Sequence, residues 1–219
     1  MKISTLRVYG SLVKTPPKSY STTFSLTENP ITEGGIWTGG LDEGQVWTDV
    51  ETSGGLALAT QDPGVAAPPY DDSLACLSGF PPNHYASAVL FSNSPTGVHE
   101  NELLLRWKIT PNFTRGYEVS IAATGEINII RWNGPLNDWT ILGNPTASSV
   151  ADGDTWYAEI IGNIITVKRN GGVVVIYDIS GDPTIWSDGD PGIGFFVKGA
   201  TSAVNTFAWT SFLAQGFRQ

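Results

Sequence analysis

Two stretches within Gly116–Asp178 decide the fold: 116-GYEVSIAATGEINIIRWNGPLNDWTILG-143 and 156-WYAEIIGNIITVKRNGGVVVIYD-178. In the second, β-branched runs are cut by Gly162-Asn163 and Asn170-Gly171, dipeptides that supply the positive φ of a tight hairpin. Along the first run, Trp156, Ala158 and Ile160 share one side, while Tyr157, Glu159 and Ile161 share the other. Ile165 and Val167 repeat the pattern against Thr166 and Lys168. A period of two with polar residues on one side describes strands that cover a core on one face. The stretch predicts an antiparallel meander.

Outward from it, the same signals recur. Glu102–Ile109 alternates, which predicts Leu103, Leu105, Trp107 and Ile109 inward and Arg106 and Lys108 outward. Strands are expected at Ser21–Leu26, Leu56–Thr60, Asp71–Leu77, His84–Phe91, Gly116–Ala122, Glu126–Trp132, Trp139–Leu142, Gly192–Val197 and Thr206–Phe212. Turns fall at Asp62-Pro63-Gly64, Pro68-Pro69, Gly79–Pro82 and Thr124-Gly125. On the order of a dozen strands and no helical period predict an all-β, two-sheet antiparallel sandwich of jelly-roll type. Residues 21–219 make one such domain. Residues 1–20 read as an N-terminal arm: Ile3, Leu6, Val8 and Leu12, then the stiff Thr15-Pro16-Pro17-Lys18 linker. An edge strand and an arm onto a neighbouring subunit explain it equally; in the second case Leu6, Val8 and Leu12 are the subunit contacts.

Composition bounds the function. The 219 residues include 8 Trp, 9 Phe and 7 Tyr, enough for a sizeable core, with only 15% charged residues. A net charge of −9 with no basic cluster argues against nucleic acid and against an anionic membrane surface, because both need clustered Lys and Arg. No run approaches a membrane span. The start, MKISTLRVYGSLVKTPP, lacks the apolar segment of a secretory signal, so a soluble protein synthesised in the cytoplasm is expected, with a virion surface after release as a further setting. Cys76 is the only cysteine, which excludes an intrachain disulfide and cysteine metal sites; its apolar neighbours predict a buried, inert thiol.

Three motifs carry a resemblance: Arg131-Trp132-Asn133-Gly134 ending a strand, Gly153-Asp154-Thr155-Trp156 starting one, and Gly192-Ile193-Gly194-Phe195. Together they resemble the concanavalin A-like lectin/glucanase superfamily in its laminin-G-like form, over roughly the last half of the chain. The resemblance implies the sandwich fold, which hosts lectins, glycosidases, lyases and structural modules. Compact sandwiches of this kind with an N-terminal arm also resemble decoration or fibre proteins of tailed-phage virions. Many relatives carry an acid in the last strand that helps hold a structural calcium; Phe207–Phe212 has none, so no metal or other cofactor is expected. Asp152, Asp154, Asp188 and Asp190 are read as turn residues rather than ion ligands.

The resemblance also sets a catalytic standard. Laminarinase-type glucanases place Glu-x-Asp-x-Glu on one strand, whereas Glu126, Asn128 and Ile130 keep only the first acid. Glu118 and Glu159 read as solvent-facing acids opposite Lys168 or Arg131. His84 and His99 lie in no metal-spacing motif, and no nucleophile elbow is present. A non-catalytic module is therefore expected, with a polysaccharide-active hydrolase or lyase as the alternative and a ligand-free assembly subunit as the third reading. For binding, the hairpin 131–139 gathers Arg131, Trp132, Asn133, Asp138 and Trp139 around one turn, flat aromatic faces beside planar polar groups that suit a glycan. Trp37, Trp47, Asp49 and Tyr70-Asp71-Asp72 add to that surface. The competing reading pairs Trp132 with Trp139 across the hairpin to seal one end of the core.

Overall fold

A computed structural model describes residues 17–40, 47–61, 72–111, 113–135, 138–198 and 204–217. Leu6, Val8, Leu12, Tyr70, Asp71 and the turns at 62–64 and 68–69 lie outside the described residues. The strands are β1 (Ser19–Thr22), β2 (Thr38–Gly39), β3 (Thr48–Ser53), β4 (Leu56–Ala59), β5 (Ser73–Cys76), β6 (His84–Ser92), β7 (Val98–Thr110) and β8 (Phe113–Ala122), followed by β9 (Glu126–Gly134), β10 (Trp139–Ala147), β11 (Thr155–Ile161), β12 (Ile164–Arg169), β13 (Gly172–Asp178), β14 (Asp190–Lys198) and β15 (Phe207–Gly216).

The hairpins form where the turn dipeptides demand them. Gly162 adopts φ +57°, and Asn170 and Gly171 adopt +50° and +82°, so β11, β12 and β13 fold back on one another. Trp156, Ala158, Ile160, Ile165 and Val167 are all buried, as the alternation predicts.

Two sheets result. The first runs β4-β15-β6-β11-β12-β13, with β1 also on β15; the second runs β10-β9-β8-β7-β14-β5, with β2 also on β5. β3 joins them, antiparallel to β4 and parallel to β5, so the sandwich is nearly one continuous sheet. Between the sheets lies the main core. Leu103, Leu105, Val119, Ile121, Ile127, Ile129 and Phe195 come from the second sheet, and Leu90, Trp156, Ile160, Val167, Trp209 and Phe212 from the first. Each such side chain removed from water contributes about 1.5–3 kcal/mol, so the aromatic-rich sequence explains the closed fold.

Two expectations are corrected here. The alternation of β7 breaks at a bulge between Leu105 and Lys108, where Arg106 takes φ +46°. The extra residue reverses the facing: Trp107 turns away from the main core, and Arg106, expected outward, is buried. Two glycines permit the bulge. A Cβ on Gly116 (φ +152°) would stand 2.8 Å from the Trp107 Cα, and one on Gly189 (φ +125°) 2.2 Å from the Arg106 carbonyl oxygen. Gly116→Ala is therefore expected to cost about 2 kcal/mol, read as a lowered urea midpoint at unchanged slope; an unchanged midpoint would show that the close approach is dispensable.

The other correction concerns the expected strand at Ser21–Leu26. Sheet pairing begins earlier, at Ser19, and stops at Thr22. The Thr22 hydroxyl accepts the Phe24 N–H at 2.9 Å, and Phe24 adopts φ +52°, which turns its ring into the core.

Candidate functional site

The bulge creates a second apolar cluster on the outer face of the second sheet. Trp47, Leu74, Cys76, Leu104, Trp107 and Trp132 form it, apart from the main core. Successive side chains of a strand face opposite ways, so Leu104 stands here while Leu103 and Leu105 face inward. The three tryptophans meet edge to face, with ring centroids 4.6 Å apart for Trp47–Trp132, 6.2 Å for Trp47–Trp107 and 6.4 Å for Trp107–Trp132.

Beside this cluster three acids converge. Asp72 precedes β5, Glu102 lies on β7 and Glu118 on β8, and oxygens from all three lie within 4.8 Å of one another. They are 6%, 2% and 2% exposed. Glu118 accepts a 2.6 Å hydrogen bond from the Trp132 indole N–H, which ties the acids to the aromatic cluster. Gly194 makes room: a Cβ there would stand 2.1 Å from Glu102 Oε2. Burial pushes the Glu118 carboxyl up to about 8 despite that hydrogen bond, with the charge of Glu100 adding to the rise. Burial raises Glu102 well above the carboxylate range as well, helped by Glu118, Asp72 and Glu100. Glu118 was expected to face solvent opposite Lys168 or Arg131, and this is corrected: a face covered by tryptophans encloses it. Glu159 does pair with Lys168, at 3.4 Å on the other sheet, and accepts the Tyr157 hydroxyl at 2.6 Å.

The hairpin residues divide between two sides. Trp132 and Trp139 stand opposite each other in the β9–β10 register, rings 6.5 Å apart, on the outer face. Trp132 is buried and Trp139 is 46% exposed at the rim. Arg131 and Asn133 point to the other side, where Arg131 donates to Asn133 Oδ1 at 2.7 Å and to the Thr184 carbonyl at 3.2 Å. Asn133 donates to Asp138 Oδ1 at 2.7 Å and to the Thr140 hydroxyl at 3.2 Å. The flanking loop adds Trp186, whose indole N–H donates to the Trp132 carbonyl at 2.9 Å.

Of the residues expected to extend this surface, Trp47 packs on Trp132 and Asp72 joins the acids. Asp49 is buried, with Oδ1 lying where a Cβ on Gly39 would stand. Trp37 is corrected to the main core: it stacks on Tyr20 and Phe212, and its indole N–H donates to Glu33. The loop acids serve the turns. Asp152 accepts the Ser92 N–H, and Asp154 binds Arg169, Asn170 and the Ala151 N–H. Asp188 binds Lys108 and Arg115, and Asp190 accepts the Phe80 N–H. Cys76 is buried as expected, and burial pushes its thiol up.

No family model matches the chain, and no curated protein does. Solved structures do. An endo-acting O-glycanase structure, described as initiating mucin breakdown by members of the human gut microbiota, aligns at TM-score 0.57 with 12% identity, covering 91% of this chain and 99% of that one. A kappa-carrageenase from Zobellia galactanivorans aligns at 0.54 with 13% identity, covering 95% and 98%. A non-specific endo-beta-1,3(4)-glucanase from family GH16 aligns at 0.54 with 10% identity, covering 93% and 92%. At such identities the likeness establishes the fold: a concanavalin A-like jelly-roll sandwich.

Proposed function

We propose that the protein is a non-catalytic glycan-binding module that takes its ligand at the β9–β10 rim. Trp139 carries this reading. Its ring is half uncovered, yet it rests on Trp132, which two further tryptophans and Glu118 hold in place. A pre-positioned aromatic face of that kind stacks on a sugar ring with little ordering cost. On the other side of the hairpin, Asn133 hydrogen-bonds Asp138 and Thr140 and braces the turn that presents Trp139. The fold neighbours, an endo-acting O-glycanase, a kappa-carrageenase and an endo-beta-1,3(4)-glucanase, lend the glycan part of the reading support by analogy of fold.

Catalysis is proposed against on access. Asp72, Glu102 and Glu118 approach the roughly 5 Å spacing of a retaining glycosidase pair, but such a pair must flank a sugar that solvent can reach. Glu102 and Glu118 are enclosed. A setting on a virion surface, with subunit contacts from Leu6, Val8 and Leu12, is a separate proposal to which the fold comparisons add nothing.

A polysaccharide panel read by tryptophan fluorescence and by release of reducing ends tests the proposal. Trp139→Ala is expected to weaken binding about tenfold or more while changing stability by less than about 1 kcal/mol, because the side chain is half exposed. Trp132→Ala should reduce binding and stability together. Binding indifferent to Trp139, or none on any glycan, would sink the rim site; released sugar would sink the non-catalytic reading.

A further inference from the structure

Three carboxyl groups buried together need either protons or a cation, because enclosed like charges repel strongly and are poorly solvated. We propose that Asp72, Glu102 and Glu118 form a binding site for a hard divalent cation, Ca²⁺ foremost. The spacing fits: ligand oxygens on opposite sides of Ca²⁺ stand about twice a 2.3–2.6 Å bond apart, and these three side chains offer oxygens within 4.8 Å of one another. The donor set is all carboxylate, which selects hard oxygen-seeking ions over zinc or copper.

An observation besides the clustering of charge points the same way. Glu102 is almost wholly buried, yet its Oε1 has no hydrogen-bond partner among the described residues. A buried acceptor left unsatisfied is costly, the more so when charged, so this oxygen points to a cation as its partner. Across the same face, in the row Glu102–Ser120–Asn128, Asn128 also keeps a buried Oδ1 without a partner, a neutral oxygen of the kind that completes a calcium shell. Gly194 leaves the space into which Glu102 leans. Glu118 is held on its other side by the Trp132 indole N–H.

The cation would bridge β7, β8 and the segment entering β5. β7 and β5 both pair with β14, so the site would clamp the middle of the second sheet from its outer side. It touches the rim only through Glu118, which accepts from Trp132; Asp72 and Glu102 lie apart from the rim.

The test uses the full chain stripped with EDTA. Added Ca²⁺ at about a hundred times its dissociation constant is expected to raise the melting temperature by roughly 4 °C or more. Tb³⁺ should bind one per chain, with luminescence excited through the adjacent Trp132, and Ca²⁺ should compete it away. Glu102→Gln, which keeps the shape and removes the charge, should abolish both responses, and Asp72→Asn should weaken them. Absence of a calcium shift and of tryptophan-sensitised terbium emission in the folded wild-type chain would overturn the site and leave the three acids sharing protons. Equal responses in wild type and Glu102→Gln would overturn it too, assigning the ion to surface acids. None of these readouts depends on a glycan, so this site and the rim site fail separately.

Discussion

Exchange of Arg106 for alanine is expected to cost roughly 3–5 kcal/mol, a large share of the stability of a domain this size. The guanidinium is buried at the β7 bulge and donates to the carbonyls of Pro82 (2.8 Å), Trp186 (2.9 Å) and Gly162 (2.7 Å), with a longer contact to Asn83 Oδ1. Those acceptors come from three separate connections, so one side chain fastens the β5–β6 link, the β11–β12 turn and the loop before β14. Alanine would leave three carbonyls unpaired and a hole where the side chain lay. Lysine should recover little, because an ammonium cannot reach three diverging acceptors as a planar fork can. Urea unfolding followed by tryptophan fluorescence checks this; a loss below about 1 kcal/mol for alanine would mean that water replaces the guanidinium freely.

Acidification is expected to destabilise the protein by about 3 kcal/mol through His84 alone. Its Nδ1 lies 2.7 Å from the Pro81 carbonyl, and its Nε2 lies 3.1 Å from the Arg106 backbone N–H. Those partners assign the neutral tautomer: Nδ1 donates and Nε2 accepts. Burial lowers the imidazole to about 4, with the Arg106 charge assisting and the Pro81 contact opposing. The native state thus excludes a proton that the unfolded chain binds below about 6.5. Stability is therefore unaffected by this group above about pH 6.5, falls as the pH drops and stops falling near pH 4. His84→Gln, which keeps an acceptor for the Arg106 N–H, should flatten that slope while lowering stability at pH 7. A wild-type slope unchanged in the variant would assign the acid sensitivity elsewhere.

What the sequence disclosed and what it concealed follow from the range of the interactions. Hairpins are local, so Gly162-Asn163 and Asn170-Gly171 could be read directly. The bulge at Arg106 defeated a strict period of two, and its trace in the sequence lies in the glycines at 116, on the next strand, and 189, in the loop before β14. The acid trio was hidden for the same reason: Asp72, Glu102 and Glu118 meet only once the order β5-β14-β7-β8 is known. One signal was available. Leu103-Leu104-Leu105 is apolar at consecutive positions, which marks a strand covered on both faces, and Glu102 shares a face with Leu104. The hairpin surface was half legible: Trp132 and Trp139 do share a side, but strand alternation sends Arg131 and Asn133 to the other.

Strand β15 takes β6 along one edge and both β4 and β1 along the other, with Ser19 opposite Gln215. The last of the described strands therefore occupies the middle of its sheet and holds the first of them. During synthesis, β1 must wait for a partner nearly two hundred residues away and β4 for one about 150 residues away, and until then β6 stands beside an open slot. The meander β11–β13 can assemble as soon as it leaves the ribosome, whereas closure of the sandwich is confined to the moment after residue 216 is free. Until then, protection from aggregation rests on how fast those early hairpins bury their tryptophans.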